Sequence, residues 1–240
     1  MYITHKKKKP DTYTRTDIGD IRYTFERSNM AQLNADFIPV GGKTFETHIA
    51  ATAQSRGAVL EIGGGIAQTA AQEILAHYPN IGIYSAAEPR SLSNDVGMLW
   101  YRDNFQHIQA PVEKLEDVLG GEKYDIAFAH YVAEHIDNPF RAIEVASKLV
   151  RTGGIIFCNK IPVYREVLQH LERTLHHRGM VFASRSRRPE SLLYKKGVVY
   201  VDMSMQSQGF PLDLLIAEGD YMRDFSGVVR AFRELSIAVQ

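Results

Sequence analysis

The chain has 240 residues, 45% of them hydrophobic and 23% charged, and its 28 Lys and Arg balance its 28 Asp and Glu. Such a composition excludes a wholly disordered chain, a collagen and a multi-pass membrane protein, and the neutral balance provides no overall field toward nucleic acid or anionic lipid. The longest apolar runs, Ile155–Cys158 and Val198–Val201, fall far short of the roughly 20 residues that span a bilayer.

No apolar stretch follows Met1, so no secretory signal is expected. Lys6 to Lys9 read as a solvated tail. The single cysteine, Cys158, lies in a predicted buried strand and excludes an internal disulfide. A cytoplasmic protein is expected.

Between Thr12 and Gly57 apolar and polar residues mix, with Tyr13, Tyr23, Phe25, Met30, Leu33 and Phe37 scattered through the segment. Thr44 to Gln54 then reads as a short helix ended by Gly57, with Phe45, Ile49 and Ala50 on one face. Ala58–Ile62 is a short apolar strand running into Gly63-Gly64-Gly65. An alanine-rich helix from about Ala67 to His77 and a strand from Ile81 to Ala86, ending at Glu88-Pro89, follow. A third strand is expected near His107 to Gln109 and a fourth at Asp125–Ala129. Asn138 and Pro139 read as the N-cap and first position of a helix that Gly153-Gly154 stop. Ile155–Cys158 has no polar alternation, as in a strand covered on both faces. Strands alternating with helices of this length specify a parallel α/β sheet.

In such sheets ligands lie beyond the carboxyl ends of the strands, where Gly63-Gly64-Gly65 stands. The dinucleotide fingerprint fails, because its sixth position is Gln68. Glu61, two residues before the first glycine, would repel a pyrophosphate and attract an ammonium group. S-adenosylmethionine has an ammonium group, a sulfonium and free ribose hydroxyls. The glycines would let the backbone approach it closely, and Glu88 could accept hydrogen bonds from both hydroxyls of a ribose diol.

Glu61-Ile-Gly63-Gly64-Gly65-Ile-Ala67 resembles the first motif of class I S-adenosylmethionine-dependent methyltransferases. Tyr124 to His135, Asn138-Pro-Phe and Arg151 to Ile156 are similar to that family's fourth-strand, helix and fifth-strand block, so the likeness covers about residues 56–160. It implies a Rossmann-like α/β fold whose mostly parallel seven-stranded sheet carries helices on both faces, with Met180–Ala183 and an antiparallel Val198–Val201 among its strands. It further implies a core over residues 56–205, an N-terminal segment 1–55 acting as a substrate lid and a C-terminal extension 206–240. The cofactor would be S-adenosylmethionine, held by Glu61, Gly63, Gly64 and Gly65 at its amino-acid end and by Glu88 at the ribose. The adenine would lie against Ala110 to Glu113, with Val112 and Glu113 as contacts, and the methyl group would point toward His130. Ala67 takes the place of a third glycine, and Glu88 falls later than the usual acid, so the second strand or its loop should be longer.

Imidazole can take a proton from an attacking hydroxyl or amine, so His130 is the first candidate base, with His135 and Tyr131 behind it. A relative branch holds a divalent metal with a Glu-x-x-Glu-His cluster. Tyr131 stands at its first glutamate position, so no metal is expected. His176-His177 read as a solvated pair suiting a helix end.

The function expected is O- or N-methylation of a small or medium-sized acceptor, roofed by Tyr13, Tyr23, Phe25, Met30 and Phe37 together with parts of the C-terminal region. Nucleic-acid and membrane partners are not expected, and the oligomeric state, homodimer included, is open. Two alternatives stand. One is an RNA or protein methyltransferase using the basic stretch 173–196, although aromatic residues do not interleave with its arginines. The other is a non-catalytic subunit that keeps the fold.

Overall fold

A computed structural model describes residues 29–177 except 122 and 137, residues 181–187, 198–209 and 212, and three short strands near the N-terminus. Those strands, β1 (Ile3–Thr4), β2 (Thr12–Asp17) and β3 (Ile21–Glu26), form an antiparallel sheet. The elements α1 (Met30–Asp36), α2 (Phe45–Gln54), β4 (Ala58–Ile62), α3 (Thr69–His77), β5 (Ile83–Ala87) and β6 (Phe105–Ile108) follow. After them come α4 (Leu115–Leu119), β7 (Tyr124–Ala129), α5 (Arg141–Leu149), β8 (Val150–Tyr164), α6 (Arg165–His177), β9 (Phe182–Arg187) and β10 (Val198–Gln206). The extension beyond Leu212, the Lys6–Lys9 tail and Arg178, Arg188, Lys195 and Lys196 lie outside the described residues.

The large sheet has seven strands in the order β6-β5-β4-β7-β8-β10-β9. Strands β4 to β8 run parallel, and β10 lies antiparallel between β8 and β9. This is the Rossmann-like α/β architecture expected. Both faces are covered, which is why the central strands lack alternation. On one face Leu60, Ala127, Ala129, Ile156 and Cys158 pack with α4, α5 and α6. On the other, Val59, Tyr84, Phe128 and Phe157 pack with α1, α2 and α3.

Local chemistry accounts for the helix ends. Thr44 caps α2 by accepting from the Thr47 amide at 3.2 Å, and the helix buries Phe45 and Ile49 while Ala50 stays half-exposed. Asn138 is not the N-cap of α5. Its Oδ1 accepts from the Phe140 amide at 3.0 Å, so Asn138 to Phe140 form a separate turn and the helix starts at Arg141. Gly153 and Gly154 do not stop that helix either, because it ends at Leu149 and both glycines lie inside β8. A Cβ at Gly154 would run into Val150 and the Asp125 carbonyl, so the residue permits close strand packing where the β7–β8 register shifts. The helix after the glycine turn begins at Thr69 rather than Ala67, because Gln68 adopts a left-handed conformation, φ 51°.

Met30 and Phe37, expected in a roof over the acceptor, belong to the core instead. Phe37 is 1% exposed, with ring centroids 4.9 Å from Phe45, 5.9 Å from Phe128 and 5.4 Å from Phe157. Each such pair contributes about 0.5–1.5 kcal/mol beyond area burial. The cluster seats α1, and with it Asp36, against the sheet. Phe37→Ala should therefore cost about 3–5 kcal/mol, read as a lower urea midpoint with an unchanged slope.

Candidate functional site

The site gathers at the carboxyl ends of three neighbouring parallel strands. Ile62 of β4 pairs with Ala87 of β5 on one side and with Ala129 of β7 on the other. Gly63, Glu88 and His130, the next residue of each strand, therefore start three adjacent turns. The Gly63 and Gly64 amides donate to the Ala87 carbonyl at 2.8 and 3.1 Å, which folds the glycine turn onto the end of β5. Gly63 and Gly65 have φ of 74° and 66°, a region that penalises any Cβ. A Cβ on Gly63 would strike Val132, and one on Gly64 would strike Gln68. Part of the need for these glycines is thus the chain's own packing.

Glu61 is 3% exposed, and its Oε2 accepts from the Tyr84 hydroxyl at 2.7 Å. Burial pushes its carboxyl up to about 7, helped by the nearby charge of Glu88 and opposed by the Tyr84 hydrogen bond. The Tyr84 phenol is raised well above its ordinary value by burial and by Glu61. Gln68, wholly buried, gives its Nε2–H to the Gly65 carbonyl at 2.8 Å, while its Oε1 has no hydrogen-bond partner. Residues 58–76 contain no Lys or Arg. A buried acid and an unmatched acceptor in a turn whose own sequence carries no Lys or Arg fit an ammonium group better than a phosphate.

Glu88 is also 3% exposed, and its Oε1 accepts from the Arg90 side chain at 2.6 Å and from the Arg90 amide at 3.2 Å. Arg90 thus engages one of the two Glu88 oxygens that the sequence reading assigns to a ribose diol. β5 runs on through Ala87, which brings Glu88 level with the glycine turn. Across β6, Val112 is buried in a short 3₁₀ turn, whereas Glu113 is exposed.

On the third strand end, His130 Nε2 lies 3.0 Å from Asp36 Oδ2, with the two side chains 6% and 8% exposed. The Tyr131 hydroxyl donates to the same oxygen at 2.9 Å, and its ring meets the His130 ring edge-on at 4.3 Å. Asp36 as a carboxylate only accepts, so His130 Nε2 carries the proton and Nδ1 is the basic nitrogen. Burial lowers the His130 pKa most, and the Asp36 hydrogen bond opposes that shift. His135 is exposed at the end of the 3₁₀ turn Ala133–His135. Sequence reasoning missed Asp36, which lies 94 residues before His130 in an unremarkable helix. It also missed Tyr84 and Arg90, the partners of Glu61 and Glu88. No group of His, Cys, Asp and Glu placed to hold a metal ion occurs among the described residues. No helix among them is long and apolar enough to cross a membrane.

A family described as a methyltransferase domain matches residues 43–191, and the chain belongs to this family, whose methyl donor is S-adenosylmethionine. No curated protein matches the chain. Among solved structures, it is similar to the trans-methyltransferase CalH in complex with S-adenosylhomocysteine. Identity there is 15% and the TM-score 0.46, over 69% of this chain and 56% of that one. It is also similar to a protein from Galdieria sulphuraria assigned as a sarcosine dimethylglycine methyltransferase, at 13% identity and TM-score 0.49, over 69% and 83%. A third similarity is to the 1,6-didemethyltoxoflavin-N1-methyltransferase of Burkholderia thailandensis, at 15% identity and TM-score 0.42, over 68% and 80%. The chain thus spans little more than half the length of the CalH structure.

Glu61 generates a pH prediction. Its pKa is raised in the folded state, so between pH 4.5 and about 7 the unfolded chain has released a proton that the folded one retains. Folding stability should therefore fall as pH rises through that window, by up to about 3 kcal/mol. Glu61→Gln should flatten this fall in chemical denaturation series at pH 5, 6 and 7.

Proposed function

We propose that this chain is an S-adenosylmethionine-dependent methyltransferase that methylates a hydroxyl or amine of a small or medium-sized molecule. The observation that carries this reading is the buried His130–Asp36 pair, 3.0 Å apart, on the strand end beside the glycine turn. Glu61 would hold the cofactor's ammonium group, and the turn at Gly63, Gly64 and Gly65 would border its amino-acid end. The Glu88 oxygen not engaged by Arg90 would take a ribose hydroxyl, and Val112 would offer an apolar surface to the adenine. When bound, the cofactor supplies an electrophilic methyl group on a sulfonium that leaves as a neutral thioether.

His130 accepts the acceptor's proton at Nδ1, and Asp36 stabilises the resulting imidazolium while fixing the ring's orientation. The lowered His130 pKa keeps the ring neutral, and therefore basic, at pH 7. Tyr131 donates to Asp36 and braces the same carboxylate rather than acting as a base. Positioning the nucleophile can contribute up to roughly 7–11 kcal/mol, so one base and a water-poor pocket suffice. His135, exposed, has no part in this reading.

The basic stretch gives little support to an RNA or protein acceptor. Its Arg185 donates to Asp202 at 3.0 and 2.8 Å and to the Ala35 and Asp36 carbonyls at 3.0 and 3.1 Å, which ties α1 to β9 and β10. Arg173 donates to the Gln169 carbonyl on its own helix.

Two measurements test this function. Calorimetry with S-adenosylhomocysteine should give a saturable isotherm, weakened by about 1.5–3 kcal/mol in Glu88→Ala. An isotherm unchanged in that variant rejects the ribose role. Once an acceptor is in hand, Asp36→Asn should lower kcat about 10²–10⁴-fold and move the acid limb of the pH profile to lower pH, because the carboxylate raises His130's pKa. An unmoved limb rejects His130 as the base.

A further inference from the structure

The strand beside His130 carries an irregularity that the reading above leaves unused. Val201 pairs with Ile161 and Met203 with Cys158, so β8 supplies two residues, Asn159 and Lys160, opposite the single residue Asp202 of β10. Such a bulge re-aims side chains at a strand end. Lys160 adopts φ 50°, a left-handed conformation that a non-glycine residue holds at a cost and that clusters at functional sites.

The bulge turns both side chains toward the His130 side of the site. Asn159 is wholly buried, and its Oδ1 accepts from the Tyr131 amide at 2.7 Å. Its Nδ2 is buried with no hydrogen-bond partner, a costly condition for a donor that a ligand oxygen would relieve. The Lys160 ammonium sits 4.2 Å from the centre of the Tyr131 ring, whose edge-on neighbour is His130.

The charges nearby are matched differently. Asp202 is held by Arg185 and by the Lys160 amide. Asp36 receives His130 and Tyr131. Among the described residues, the Lys160 ammonium makes no ion pair.

We propose that the methyl acceptor carries a carboxylate, bound by the Lys160 ammonium and the Asn159 Nδ2–H donors, which sets its nucleophile beside His130. The inference rests on the methyltransferase reading and names the acceptor class for that same site. One cation and one amide match the two oxygens of a monoanion. A phosphate dianion would bring a second negative charge toward Asp36, and Arg185 is already engaged by Asp202. The positive charge of Lys160 also lowers the His130 pKa, which favours the unprotonated ring.

The experiment uses isotopically labelled full-length protein, with benzoate and benzamide as size-matched probes followed by NMR, in the presence of S-adenosylhomocysteine. Benzoate should shift the Asn159 side-chain signals saturably and benzamide should not. Lys160→Met, which keeps the apolar stem over Tyr131, should weaken benzoate about 10-fold or more, and Lys160→Arg should restore part of the loss. Equal response to both probes, or full benzoate affinity in Lys160→Met, overturns the carboxylate site while leaving the methyltransferase reading intact. Gly63 and Gly65 signals unmoved by S-adenosylhomocysteine would instead overturn that reading, and the acceptor assignment with it.

Discussion

Two carboxylates at the ends of neighbouring parallel strands, buried beside a glycine turn that carries no Lys or Arg of its own, organise the cofactor side in the proposed reading. Parallel pairing of β4 with β5 sets Glu61 opposite Ala86 and Glu88 beside the start of the glycine turn, and burial together with the charge of Glu88 makes an ionised Glu61 costly. Tyr84 offsets part of that cost through one hydrogen bond, and Arg90 engages Glu88 from its outer side. What remains is a site short of positive charge and rich in acceptors. A cationic amino-acid terminus relieves that imbalance, and a pyrophosphate would deepen it.

The acceptor side rests on a different constraint. Asp36 has no covalent or sheet connection to His130, and only tertiary packing holds them together. Phe37, the next residue, locks the end of α1 into an aromatic cluster with Phe45, Phe128 and Phe157, while Arg185 grips the Ala35 and Asp36 carbonyls from the far edge of the sheet. The helix α1 is therefore built into the core through Met30, Leu33 and Phe37. Removing residues 1–40 would delete Leu33, Phe37 and the partner of His130 in one step.

Much of the fold was legible because its signals are local. Ala58–Ile62 was bounded to the residue, since a short apolar run ending in three glycines leaves one reading. The seven-stranded, mostly parallel sheet followed from strand–helix alternation and family resemblance together. Errors fell where tertiary contacts overrode local chemistry. Asn138 caps a turn instead of a helix, because Phe140 is pulled into the core. Gly153-Gly154 look like a helix stop yet serve close strand packing, a need set by Val150 and Asp125. Gln68, read only as a failed fingerprint position, supplies both the left-handed residue before α3 and an unmatched acceptor in the turn.

The residues themselves determined the α/β class, the glycine turn with its preceding acid, and the placement of His130 at a strand end, since each depends on neighbours a few positions away. Tertiary structure alone decided which carboxylate would face that histidine, and that a bulge would turn Asn159 and Lys160 toward Tyr131. Those outcomes depend on strand register and helix docking between segments tens of residues apart. Periodicity and motif spacing are blind to distances of that kind, because they arise only when the apolar faces of separate elements compete for the same core.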